Sequence, residues 1–196
     1  MDIFYPGGHS AVGLLHSVTG ISVTRSMMLF VQLVSLGYLV FVPLTVRSLL
    51  DDRAGTAIGV FAACLFLPIT NISTYLDFHP YTLTTLFFPV VLFLLFEYLS
   101  RRSRGAVNGV TATGLLLLLG GAASVLLHGQ VALNVLILFA TIAFVQRLYR
   151  WLPGGNVFAD ARSLAVPTVL FGAFYVLWAS RYEIVYVMFD NVYTAV

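Results

Sequence analysis

The sequence predicts an all-α integral membrane protein: six transmembrane helices in a single membrane domain, preceded by a short N-terminal helix lying at the membrane interface. Three observations predict it. The 196 residues are 60% hydrophobic and only 9% charged, whereas a soluble domain carries about 25% charged residues. The charges are separated by uncharged stretches of membrane-spanning length. The arginines also fall unevenly, eight in three segments and two elsewhere. Composition excludes other classes as well. A net charge of +2 spread singly or in short clusters builds no basic face for a phosphate backbone, so nucleic acid is not a partner. Cys64 stands alone, so neither an intrachain disulfide nor a thiolate metal site can form.

The elements follow from the gaps between charges, because a spanning helix needs about 20 apolar residues and a central charge costs at least ~2.5 kcal/mol. Residues 1–20 contain a turn at Tyr5-Pro6-Gly7-Gly8 and then His9 to Thr19, too short and too polar to cross. This piece is read as the outer interfacial helix, with His9, Val12, Leu15 and His16 on one face. Arg25 to Arg47 encloses 21 uncharged residues, Arg53 to Asp77 encloses 23, Asp77 to Glu97 encloses 19 and Arg162 to Arg181 encloses 18. Each accommodates one span. Arg104 to Arg147 encloses 42, and His128-Gly129-Gln130 divides it into two. The expected spans are therefore about 24–46, 54–73, 80–98, 105–127, 129–146 and 164–180.

Short cytoplasmic loops retain positive charge. Segments 47–53, 99–104 and 147–163 hold Arg47, Arg53, Arg101, Arg102, Arg104, Arg147, Arg150 and Arg162, against Arg25 and Arg181 on the other side. Six spans then place both chain ends, the Asn71 to His79 loop and the His128 turn outside the cytoplasm. Within the spans, Gly55 with Gly59 and Gly105 with Gly109 have the spacing of close helix contacts, and Gln32, Ser35 and Asn134 are expected to satisfy one another across helices. Asn71-Ile72-Ser73 matches a glycosylation pattern at a span end, where access is poor.

All four histidines, His9, His16, His79 and His128, fall on the outer side of this topology. His79-Pro80 and His128-Gly129 each open a span running inward. A helix N-terminus offers free N–H groups and about half a positive charge, which favours an anion, and an imidazole adds a donor. The same histidines also suit a plain role as interface residues at helix ends, and Asp77 could simply cap the third span.

Pro6-Gly7-Gly8-His9-Ser10 is similar to the Pro-Ser-Gly-His motif of type 2 phosphatidic acid phosphatases, but that likeness fails where the nucleophilic histidine should stand, at Val187, and its acidic partner, at Asn191. A wider resemblance covers about residues 4–150. Tyr5-Pro6-Gly7-Gly8-His9 leading to Thr19-Gly20-Ile21-Ser22, Phe78-His79-Pro80, and Leu127-His128-Gly129 resemble segments of the polytopic GT-C type membrane glycosyltransferases. The resemblance implies a lipid-phosphate-linked sugar donor at an extracytoplasmic site. It implies Asp77 or Asp2 as the catalytic base and His79, His128, His9 and Arg181 as phosphate contacts. The earlier first span of that group, with its acidic loop, has no counterpart ahead of Asp2, which points to a piece of a longer protein or to one without transferase activity. A transporter module and a non-catalytic scaffold subunit are the other function classes that such a bundle admits.

Overall fold

The computed structural model describes residues 6–50, 53–70, 78–100, 111–151 and 162–181. Among the described residues the chain forms α1 (Pro6–Thr19), α2 (Val23–Leu50), α3 (Arg53–Thr70), α4 (Pro80–Ser100), α5 (Ala112–Leu127), α6 (Gly129–Tyr149) and α7 (Ala165–Ala179), with no strand. Helices α2, α4 and α6 are long and apolar enough to cross a membrane; Ala54–Leu65, α5 and α7 are shorter apolar helices. Large apolar side chains line the outside, Phe61 at 70% exposure and Val169 at 69% among them. Such a surface belongs against lipid.

Helix α1 starts three residues earlier than expected. Pro6 takes the first helical position, where its missing N–H is no loss, and Gly7 and Gly8 continue the helix instead of forming a turn. Their small size is used: a Cβ on Gly7 would lie 2.9 Å from the Leu126 backbone, and one on Gly8 would lie 3.1 Å from the Phe78 ring. Gly8 and Val12 are buried, four residues apart, and α1 packs across α2 and α5. Gly20, at φ 71°, ends the helix.

Helix α2, 28 residues long, exceeds the ~20 needed to span and carries Pro43 in its interior. Proline removes one helical hydrogen bond. Helix α4 carries Pro89 at a neighbouring level, and the Thr45 hydroxyl lies 2.7 Å from the Phe41 carbonyl and 3.3 Å from that of Pro89. On the other side of Pro43 lies α3, so close that a Cβ on Gly59 would stand 2.7 Å from the Pro43 Cα. Ser35 does not reach across helices: its hydroxyl donates to the Val31 carbonyl of its own helix at 2.9 Å. Gln32 and Asn134 are exposed, so the expected three-way polar contact does not form.

Helices α4 to α7 enclose the main core, with Val91, Leu95, Leu117, Val125, Ala132, Val135, Phe139 and Phe171 buried. Gly121 lets the Phe171 ring approach to 3.1 Å of where a Cβ would stand. In lipid this shape fit matters more than apolar transfer, because the alternative surroundings are equally apolar.

Side-chain contacts show that α4 to α7 alternate in direction. At one end Gln146, late in α6, takes the Leu164 backbone N–H at 2.9 Å on its carbonyl and donates to the Arg162 carbonyl at 2.9 Å. The Arg162 guanidinium donates to the Thr111 hydroxyl at 3.0 Å and lies over the Tyr98 ring, whose hydroxyl donates to the Ser163 carbonyl. Thr111 also caps α5 by accepting from the Gly114 N–H at 3.1 Å, so this helix begins at Ala112 instead of near 105. The opposite end gathers the start of α4, the α5–α6 turn and the end of α7.

The two glycine environments differ enough to test. Gly59→Ala drives a methyl into backbone and should destabilise the protein by about 1–3 kcal/mol, the usual range for overpacking. Gly13→Ala, with nothing within 4 Å, should be neutral or stabilising by up to about 1 kcal/mol. Thermal unfolding of both variants in one detergent checks the ordering; a Gly59→Ala protein as stable as the parent contradicts the close α2–α3 approach.

Candidate functional site at the His128 end

The four residues Phe78-His79-Pro80-Tyr81 are the hub of this end. Phe78 precedes α4 and receives three neighbours: Gly8 beneath it, the His9 ring edge-on at 5.5 Å and the Phe30 ring edge-on at 6.2 Å. Tyr81, in the first turn of α4, meets the His128 ring edge-on at 5.7 Å. The beginnings of α1, α4 and α6 therefore come to one end, each bringing a histidine.

His79 caps α4. Its Nδ1 accepts the Tyr81 backbone N–H at 3.3 Å, which leaves Nε2 as the protonated nitrogen of the neutral ring. The ring is exposed, so Nε2–H is a donor on the solvent side. His128 has a different role. It is the single residue between α5 and α6, in extended conformation at φ −163° and ψ 110°, with its N–H given to the Ser124 carbonyl and its carbonyl taking the Ala132 N–H. Burial pushes its imidazole below the ordinary histidine range, and the nearby His79 lowers it further. Both effects disfavour a second positive charge here.

Gly129 opens α6 under the Trp178 indole, whose ring atoms would lie 2.8 Å from a Cβ at that position. Trp178 ends α7, and the Arg181 N–H donates to its carbonyl at 3.2 Å. Arg181 thus stands three residues after a residue packed against the start of α6. Among the described residues Ser26 and Thr82 each bury a hydroxyl without a hydrogen-bond partner, and Thr82 directly follows Tyr81.

Of the residues singled out in the sequence, His9, His79 and His128 gather around Phe78 and Tyr81. His16 does not: it sits at the far end of α1, and its Nδ1 is paired with the Ile21 carbonyl. Asp2 and Asp77 lie outside the described residues, as do Asn71 and Ser73. Tyr81 and Thr82 carried no sequence signal beyond their place after His79-Pro80. Among the described residues no three histidine, cysteine or carboxylate side chains are grouped to hold a metal ion. The arrangement offers imidazole donors and helix N-termini, which suits an anion.

A family model described as a family of unknown function (DUF6541) matches residues 2–195 of the chain. No curated protein and no solved structure matches it.

The lowered His128 basicity has two separable causes. Histidine-selective NMR titration should place the His128 midpoint below 6.5, the ordinary value. His79→Ala should move it upward without restoring it fully, because burial remains. A midpoint unmoved by His79→Ala would mean that the two rings do not interact.

Proposed function

The chain belongs to the DUF6541 family of unknown function, and from its own residues we propose a membrane-embedded, glycosyltransferase-like protein that holds the phosphate of a lipid-phosphate-linked sugar at the His128 end. The observation that carries this reading is the junction of three helix beginnings and three histidines around Phe78 and Tyr81. An anion at that place gains about 0.3–1 kcal/mol from each exposed helix N-terminus and up to ~2 where partly buried. Each hydrogen bond to a charged group adds about 1.5–3 kcal/mol. The His79 Nε2–H and the Arg181 guanidinium are the side-chain donors for the phosphate. Asp77, two residues before His79, and Asp2 are the candidates for a general base that takes the proton of an acceptor hydroxyl. In the described helices Arg25, Arg47, Glu97 and Arg147 all stand within the first or last turns, away from mid-membrane. That distribution favours a site at the membrane surface over a transport path.

The same proposal includes the topology: α2 to α7 as six spans in a cell membrane, with the Gln146 end in the cytoplasm and both chain ends outside. The alternating directions of α4 to α7 and the arginine distribution support it. With Cys64 replaced, single cysteines at Ser73 and Ser103 should label from opposite faces of the membrane. Labelling of both from one face would remove the six-span arrangement.

The phosphate site is tested by binding of a polyprenyl phosphate. Replacing His79 and His128 together by Ala should weaken it tenfold or more, since one decade is 1.4 kcal/mol. His79→Asp keeps a cap on α4 but sets a negative charge against the phosphate, so it should lose affinity without losing stability. Asp77→Asn should bind as well as the parent or better, and should abolish transfer if Asp77 is the base. Unchanged affinity in both histidine variants would leave the histidines as helix-end residues and the protein as a scaffold.

A further inference from the structure

We propose that the Gln146 end of α6 carries a binding site for one anionic phospholipid, with the headgroup phosphate on Arg147 and Arg150 and an acyl chain along Leu148, Phe144 and Ile137. Neither the phosphate site at the opposite end nor the sidedness of the membrane enters the argument.

Arg147, Arg150 and Trp151 are three and four residues apart at the close of α6, so they share one face. The Arg147 guanidinium lies over the Trp151 ring at 5.7 Å, which holds it at the helix surface instead of leaving it free to swing. Trp151 is 75% exposed, and both arginines are exposed. Among the described residues no carboxylate pairs with either of them. Arginine at this position also answers the partial negative charge of the helix C-terminus. That charge is about half a unit, so two guanidinium groups leave a net attraction for an anion.

The occupant is identified by what runs away from the arginines. Ile137, Phe144 and Leu148 are 55%, 67% and 47% exposed, at spacings of seven and four that keep them on one stripe; Phe144 lies one turn before Arg147 and two turns before Trp151, with Arg150 on the adjoining face. From Ile137 to Leu148 the stripe covers about 16 Å at 1.5 Å per residue, close to half of a ~30 Å hydrocarbon core. A phosphate with an acyl chain of one leaflet has those two parts in that order and at that separation. A free anion would use only the arginines, and a protein helix would have no need of the paired charges.

The test is lipid binding to the purified full chain in detergent, read by native mass spectrometry and by thermal stability. Phosphatidylglycerol should bind more tightly than phosphatidylcholine, by about fivefold for each arginine at ~1 kcal/mol. The double substitution Arg147→Gln with Arg150→Gln should abolish the preference and lower the lipid-free melting temperature only slightly, since both side chains are exposed and contribute only at the helix end. Phe144→Ala should weaken both lipids alike, and glycerol phosphate should give no stabilisation. Equal binding of the two lipids by the parent protein overturns the proposal without reference to any variant. So does a preference that survives the double substitution, and stabilisation by glycerol phosphate as large as by the lipid would assign the arginines to a soluble anion instead.

Discussion

Away from water, a polar group that the protein itself does not satisfy costs several kcal/mol. That constraint orders most of what the chain does with its polar residues. Hydroxyls inside the helices turn back onto their own backbone, as Ser35 does on Val31, Thr84 on Pro80, Ser124 on Gly120 and Thr168 on Leu164. Where Pro43 interrupts α2, Thr45 stands beside carbonyls of both α2 and α4. Apart from Thr45, polar chemistry that reaches beyond a single helix gathers at the two ends of the bundle, and the two ends use it differently. At the Gln146 end the inward donors and acceptors are spent on each other, one amide and one guanidinium joining α4, α5 and α6 to the residues that start α7, while Arg147 and Arg150 face outward. At the His128 end ring edges and helix N-termini face one another, and His79 keeps a ring nitrogen that no helix uses.

Much of the fold was legible because charge cannot sit cheaply in hydrocarbon. Counting uncharged residues between charges located every helix from α2 to α7, and the His128-Gly129 break divided the longest gap at the observed residue. The misreadings have local causes. Pro6-Gly7-Gly8 has the composition of a turn, yet it is helical, and its glycines serve packing because Leu126 and Phe78 come too close for larger side chains. The start of α5 was set too early because an uncharged stretch has no visible boundary; the Thr111 side chain, bonded to the Gly114 N–H, makes one. Gln146, buried at 5% exposure, carried no signal in the sequence. Its two backbone partners lie 16 and 18 positions away, and no periodicity encodes such a pairing.

The site was legible in its histidines and not in what assembles them. His79-Pro80 and His128-Gly129 announce two helix beginnings, and their closeness depends on Tyr81, which nothing in the sequence separates from the other aromatics of an interface. His9 joins them through Phe78, which is within the local motif but acts through its ring contacts with α1 and α2. His16 shares the residue type and the expected side of the membrane, but α1 carries it to the other end of the helix, where its lone pair or N–H serves the Gly20 turn. Residue type and sidedness therefore overcount the site by one.

The two sequence interpretations of His79, helix-end residue and phosphate contact, do not compete. A cap uses Nδ1 as an acceptor, and the Tyr81 N–H occupies it. That bond holds the neutral tautomer with hydrogen on Nε2, and it fixes the ring plane, so the remaining donor is aimed before any ligand arrives. His79 thus serves the helix with one ring nitrogen and leaves the other for a partner, while burial and the nearby His79 hold the His128 imidazole below the ordinary histidine range. In the proposed phosphate site the attraction for the anion would come from the helix N-termini and from Arg181, charge that does not depend on pH, and the ring donors would set its position.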